Sequence, residues 1–320
     1  MSIPVIFTGG NYPLLRVTAA QAAKFNSTVY IINNDKEHDC RDILDADRIV
    51  PWDSVRSEKI EHFARVYKNI TIYGEWFNYT SNFRYLVTEA FMRERGFEYA
   101  LQAEHDVMDF TDFSELQHIF DQGYVMALHD PERKKQGYLD VWAGQALWSL
   151  DALSDFNDWC IDMYENHFEE LKERSRGNIC DMSTNSLWQQ DYVKKHGEGL
   201  IYNMSRIRDN GVFDHNLCAD SETEDSKFQF HEVYRLKKWV MKDGVPYFIS
   251  EDGQLIRALT MHFNGQAKQL LTGFAETDGN LRKMLNTPEG RKYKASCHKQ
   301  FRNRIVNGVR RRLPGGKNKV

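Results

Sequence analysis

The residues best suited to chemistry in this chain of 320 residues sit in "YALQAEHDVMDF", Tyr99 to Phe110. An apolar run ends at Ala103 and gives way to Glu104, His105 and Asp106 before a second apolar and acidic patch begins. Alternating residues of an extended segment face the same way, which puts Glu104 and Asp106 on one side and His105 on the other. Two carboxylates on one side suit Mg²⁺ or Mn²⁺ held jointly with a diphosphate, because such ions take few protein oxygens and several outside ones. A solvated strand end suits the same residues, and for an isolated pattern of this kind it is the commoner outcome. His105 alone reads as a hydrogen-bonded histidine of the core or rim.

The surrounding elements decide what else reaches that strand end. "IPVIFTGG" reads as a buried strand running into a Gly9–Gly10 turn, followed by a helix in "LLRVTAAQAAKF". "STVYIINND" is a second buried strand and "DRIVPWDS" a short third one. Near-continuous apolar strands alternating with helices predict a single α/β domain with a mixed, mainly parallel sheet flanked by helices. A helix is expected from an N-cap at Ser81 or Asn82 to Gly96, leading into the strand "EYALQA". Further strands are expected in "GYVMALHD" and in "LDVWAGQALWSL", the latter bent at Gly144. Apolar spacing predicts one helix from Ser154 to about Arg176, and another starting near Ser186. Asp209–Lys227 reads as a polar loop, and short strands joined by Asp-Gly turns lead to an apolar strand before His262.

Composition bounds the function. No apolar run approaches the roughly 18 to 20 residues that span a bilayer. The N-terminus does not read as a signal peptide. The five cysteines are scattered and form no CxxC, which predicts reduced thiols and a cytosolic compartment. The formal net charge of -4 conceals an asymmetry, since Arg291–Val320 carries eleven Lys or Arg and no acid. The chain therefore divides into one domain, 1–290, with an elaborated C-terminal half, and a basic tail, 291–320. That tail is either a solvated extension or a patch for an anionic membrane surface or a phosphorylated partner. The acidic body and the lack of a recognition motif argue against nucleic acid.

In open α/β sheets ligands gather at the carboxyl ends of strands. Three such ends are polar here: Thr8–Gly9–Gly10, Asn34–Asp35 and Glu104–Asp106. The order "IPVIFTGG … VYIINND … NFRYLVTEAFMRERGFEYALQAEHDVMDF … WAGQALWSLDALSDFNDW … ICDMS … ALTMHFNGQAK" resembles the GT-A class of nucleotide-sugar-dependent glycosyltransferases, over roughly Ile3 to Lys268.

The resemblance implies a Rossmann-like fold, a nucleoside-diphosphate sugar as donor, a carbohydrate acceptor and a divalent metal. It places Glu104-His105-Asp106 where that class carries D-x-D, and His262 where a late histidine completes the metal site. The departure is Glu104, whose extra methylene lengthens the reach. Asp106 is thus the expected direct ligand, and Glu104 a ribose or water-bridged contact beside it. Asp35 resembles the acid that contacts base or ribose. Thr8, Gly9 and Gly10 would let the backbone approach the nucleotide, Tyr12 would stack on the base or simply pack, and Arg84 would face donor or phosphate.

Lys268 is placed to neutralise the leaving diphosphate. For an inverting reaction Asp181 is the candidate base and Asp191 the reserve, with Asp181 or Ser183 as helix N-cap the competing role. Trp142 and Trp188 are candidates for a sugar platform or for the core. Two other readings use the same residues: a metal-dependent hydrolase of sugar nucleotides or phosphoesters, and a degenerate nucleotide- or sugar-binding module.

Overall fold

A computed structural model describes residues 2–9, 12–33, 40–71, 74–129, 141–219 and 227–312. The first two thirds of the chain build the main sheet. Strand β1 (Val5–Thr8) leads to α1 (Tyr12–Ala22), β2 (Val29–Ile32), β3 (Ile49–Val50), α2 (Glu58–Val66), α3 (Glu75–Arg95) and β4 (Tyr99–Ala103). The chain continues through β5 (Val107–Asp109), α4 (Gln117–Asp121), β6 (Met126–His129), β7 (Trp142–Ser149), α5 (Leu150–Glu165), α6 (Phe168–Arg174), α7 (Asp181–His196) and β8 (Ile201–Asn203). Seven strands pair in the order β3-β2-β1-β4-β7-β6-β8. Only β7 runs against its neighbours, so the sheet is mixed and mainly parallel, as its apolar strands predict.

The last third adds β9 (Gly211–Phe213), β10 (Trp239–Lys242), β11 (Val245–Ile249) and β12 (Leu255–His262), then α8 (Leu271–Glu276), α9 (Leu281–Met284) and α10 (Pro288–Arg312). Strands β10, β11, β12 and β5 form a second, antiparallel sheet, with β9 alongside β12. Strand β5 belongs to this second sheet although it follows β4 after three residues. Glu104, His105 and Asp106 are therefore the crossing between the two sheets, in a turn and not in an extended strand.

Three apolar clusters hold these layers together. One face of the main sheet packs Ala100, Trp148 and Leu128 against Leu86, Phe91, Phe156 and Trp188 of α3, α5 and α7. The other face packs Leu101, Ala127 and Leu147 against Leu15, Ala19 and Phe120 of α1 and α4. The third cluster lies between the second sheet and the C-terminal helices, joining Met261, Phe274, Met284 and Tyr293. The composition turns basic at Arg291, which is within α10, and Tyr293 and Cys297 beyond it are buried against the body.

Four boundaries differ from the sequence expectation. Helix α3 begins at Glu75, six residues before Ser81, because Asn78 and Asn82 are buried while Trp76 and Phe77 are exposed, which inverts the usual pattern. Its end is as expected, with Gly96 left-handed at φ 69 and its N–H bonded to Met92 and Arg93 carbonyls. The single helix expected from Ser154 is two, starting at Leu150 behind a Ser149 cap and interrupted at Asn166–His167. Leu171 keeps the apolar spacing across the break, which hid it. Helix α7 begins at Asp181 instead of Ser186, since Ser183 Oγ accepts the Cys180 N–H and Thr184, Asn185 and Ser186 are buried polar residues. Finally, the supposed loop after Asp209 contains β9, too short to show a period.

Asp109, at the end of β5, carries a cost that the sequence does not reveal. It is fully buried, its Oδ1 accepts from Gln145 Nε2 at 2.8 Å, and burial pushes its carboxyl up to about 8. The fold favours the protonated form, so this group's stabilising contribution is complete below the unfolded value of 3.8 and is lost as pH rises through about 8. Asp109→Asn is expected to raise stability on the order of 1 kcal/mol near pH 5 and several kcal/mol near pH 7. Urea unfolding across that range checks this, and a gain that does not grow with pH sinks it.

Candidate metal and nucleotide site

The register of two strands builds the site. In the antiparallel pairing of β5 and β12, His262 lies opposite Val107, and the Phe263 N–H donates to the Asp106 carbonyl at 2.9 Å. Residues 156 positions apart are thereby held side by side. His262 Nε2 lies 3.3 Å from Asp106 Oδ2, and Lys268 Nζ lies 2.9 Å from the same oxygen. Glu104, Asp106 and His262 each offer a ligand atom, and these atoms lie within 4.8 Å of one another.

The electrostatics favour an ionised carboxylate. Burial by itself would raise Asp106, but His262 and then Lys268 outweigh it and hold the group well below the usual carboxylate range. Burial would lower His262, and the Asp106 carboxylate reverses this and raises it. Asp106 is 1% exposed, yet its Oδ1 has no hydrogen-bond partner. A buried ionised oxygen without a partner is expensive, and a cation supplies what it lacks. Two carboxylates and an imidazole also form a donor set that Mn²⁺ or Mg²⁺ accepts. The residues therefore fit a divalent ion.

Arg84 ties this cluster to α7. Its guanidinium donates to Glu104 Oε1, to Asp181 Oδ2 at 2.7 Å and to the Tyr85 hydroxyl at 3.0 Å, with the side chain only 6% exposed. One cation thus bridges two carboxylates from different elements. Asp181 is the first residue of α7, and burial raises its carboxyl against the opposing pull of Arg84. The N-cap role falls to Cys180 with Ser183, not to Asp181.

The other expected site residues are placed unequally. Thr8 ends β1, buried, with its Oγ1 unpartnered, and Gly9 follows at φ 69 with a virtual Cβ 3.3 Å from the Trp52 ring. Tyr12 opens α1, and its side chain is not among the described groups. Gly10, Asn34 and Asp35 lie outside the described residues. Asp191 is not brought to the cluster: ten residues along α7, about 15 Å at the helical rise, it is held by Arg174 at 2.7 and 2.8 Å and by Trp159 Nε1 at 3.0 Å. Trp188 is core, fully buried with its Nε1 on Asp155. Trp142 instead stacks on His262, with centroids 4.1 Å apart and planes 7° from parallel.

At the ends of β1, β2 and β3, with β1 the neighbour of β4, runs a cleft of about 440 Å³ lined by Gly9, Asn33, Trp52, Arg56, Tyr79 and Phe83. Trp52 stacks on Phe83 at 5.6 Å, and Tyr79 continues the ladder at 4.9 Å. Such a wall suits a flat ring.

Sequence reasoning missed Gly144 as a site residue, noting only a bend. A methyl group there would stand 2.5 Å from both the Glu104 carboxyl carbon and Trp142 Nε1. Gly144→Ala is expected to displace one of them and lower site function about 100-fold, a typical result of a 1 Å misplacement. The fold should survive, so unchanged circular dichroism with unchanged Mn²⁺ and nucleotide binding would count against this. His129 was missed too: it is fully buried, with its ring 4.9 Å from Trp142.

No family model and no curated protein sequence matches the chain. Three solved structures similar to it bear the names of glycosyltransferases. Mouse xyloside xylosyltransferase 1 in its apo form is 12% identical, covering 63% of this chain and 85% of its own, with a TM-score of 0.43. A glycosyltransferase involved in glycosylation of the major capsid of PBCV-1 is 11% identical over 64% of this chain and 84% of its own, at 0.35. The galactosyltransferase LgtC, in complex with donor and acceptor sugar analogues, is 16% identical over 91% of this chain and 100% of its own, at 0.42.

Proposed function

We propose that the chain is a metal-dependent glycosyltransferase of the GT-A kind, moving a sugar from a nucleoside-diphosphate donor to an acceptor hydroxyl. One observation carries the reading: Asp106 is a buried carboxylate with an orphaned oxygen, grouped with His262 and Glu104 and flanked by the half-exposed Lys268.

Asp106 and His262 would hold Mn²⁺ or Mg²⁺, with Glu104 beside them. When bound, the ion offsets negative charge on the diphosphate as it leaves. Lys268, 38% exposed, adds a second positive charge for the leaving group. The aromatic cleft receives the nucleoside, with Gly9 admitting it close to the backbone. The acceptor oxygen forms its bond to the anomeric carbon as the bond from that carbon to the phosphate oxygen breaks. Asp181, whose carboxyl burial has raised, takes the acceptor's proton. Arg84 keeps Asp181 and Glu104 in fixed relation while this happens. Calorimetric titration of UDP and GDP, with and without Mn²⁺, tests the reading, followed by donor and acceptor screens in which a glycosylated product separates transfer from hydrolysis.

The compartment that goes with this reading is the cytosol, with the basic segment meeting an anionic membrane surface. No helix among the described residues is long and apolar enough to cross a membrane. Removing residues 304–320 leaves the buried Tyr293 and Cys297 in place. It is expected to weaken binding to vesicles containing anionic lipid at least several-fold, each Lys or Arg near such a surface contributing about 1 kcal/mol. Undiminished vesicle binding would refute the membrane contact.

A further inference from the structure

His262 is held by the 214–217 loop. Its N–H donates to Asp214 Oδ2 at 3.1 Å, its carbonyl accepts from the Leu217 N–H at 3.0 Å, and its Nδ1 meets the His215 carbonyl. A carbonyl only accepts, so this last bond puts the proton on Nδ1 and leaves Nε2 turned to Asp106 with its lone pair available when the ring is neutral.

The loop is itself pinned from inside the fold. Lys237 Nζ lies 2.6 Å from Asp214 Oδ1, with the two side chains 1% and 0% exposed. The ammonium sits 4.9 Å and 5.4 Å from the ring centroids of Phe228 and Phe248. The Lys237 N–H donates to the Leu217 carbonyl at 2.9 Å, and the Asp214 N–H donates to Thr260 Oγ1 at 3.1 Å. Stability is a poor reason for such a pair, because apolar residues of similar volume often hold a core equally well. What the pair does supply is a fixed relation between the 214–217 loop and the end of β12.

We propose that the buried Asp214–Lys237 ion pair is a positioning device for His262, fixing the loop so that the His215 carbonyl holds the imidazole in its Nδ1–H form with Nε2 presented beside Asp106. This rests on the metal reading of the site, and its consequence is that metal affinity depends on two residues that never meet the metal. Partners that orient a ligating histidine typically change metal affinity by about 10- to 100-fold when removed.

The test uses the full chain and two variants. The double variant Asp214→Asn with Lys237→Met removes both charges and leaves neither orphaned, and Asp214→Ser with Lys237→Met is a second route, likewise free of an orphaned charge, should the first fail to fold. Mn²⁺ binding by calorimetry and imidazole ¹⁵N shifts are measured, the shifts at a pH high enough to leave the ring neutral, with His262→Gln assigning the His262 signals. The expected result is Mn²⁺ binding weakened about 10- to 100-fold, with His262 shifting from the Nδ1–H pattern to a mixture, in protein that remains folded. Wild-type Mn²⁺ affinity and an unchanged His262 pattern in a folded variant overturn the proposal. If the wild type shows no Mn²⁺ affinity, the metal reading fails, while the ¹⁵N shifts still decide whether the pair sets the tautomer.

Discussion

Asp106→Ala is expected to abolish metal-dependent binding of UDP or GDP and to lower glycosyl transfer about 1,000-fold, in the range lost when one group that stabilises the leaving charge is removed. The reason is concentration of roles. Asp106 is the common partner of His262 and Lys268, and its second oxygen is buried with no partner of its own. Without the carboxylate, Lys268 and His262 face each other across the turn as two cations or potential cations. The donor set then shrinks to Glu104 and His262, and Arg84 already engages Glu104. Asp106→Asn separates charge from shape: it keeps the side-chain volume and should lose metal binding nearly as completely. Calorimetry with and without Mn²⁺ reads both variants. Metal-dependent nucleotide binding close to the wild-type level in either one would remove Asp106 from the site and return the turn to a solvated crossing.

The largest effect on stability is expected at Arg84. Its guanidinium is the bridge between Glu104 and Asp181, whose side chains are 23% and 16% exposed. Arg84→Met keeps much of the stem's packing and deletes the charge, leaving two carboxylates in a poorly solvated space with nothing between them. Breaking a buried pair from one side typically costs about 3–5 kcal/mol. In a chain of this size that lowers Tm by roughly 6 to 20 °C, at about 2–4 °C per kcal/mol. Arg84→Lys should fall between wild type and Arg84→Met, because an ammonium keeps the charge but lacks the planar fork that serves two carboxylates at once. Differential scanning calorimetry orders the three proteins. An Arg84→Met protein that melts within about a degree of wild type would mean that Glu104 and Asp181 find other partners, and that the bridge holds nothing in place.

The two arguments draw on different kinds of information. The sequence by itself determined the strands, because a strand buried on both faces must be largely apolar over four or five consecutive residues, as in Val5–Thr8, Val29–Ile32 and Tyr99–Ala103, where only Thr8 and Gln102 interrupt the run. It also drew attention to the carboxylates that follow Ala103, since ionisable residues placed immediately after such a run are costly unless the chain is emerging toward a ligand or solvent. Glu104 and Asp106 were legible on those grounds, whereas His262 was legible only through the family resemblance. The start of α3 was not, because its first turns bury asparagines and expose aromatics.

Only the tertiary structure decided how the parts meet. Whether the chain after Ala103 continued one sheet or crossed to another depended on the pairing of β5 with β12, a contact across about 150 residues that leaves no local period. The same holds for Arg84, which sequence spacing assigns to a helix face but which packing turns into a bridge to Asp181, 97 residues away. Gly144 is required by the volume that Glu104 and Trp142 occupy. Asp214 and Lys237 read as solvated charges until the fold closes over them. Local pattern reports what a residue must bury or expose; which charges share one buried space is a property of the packed chain, and that sharing is what makes the site.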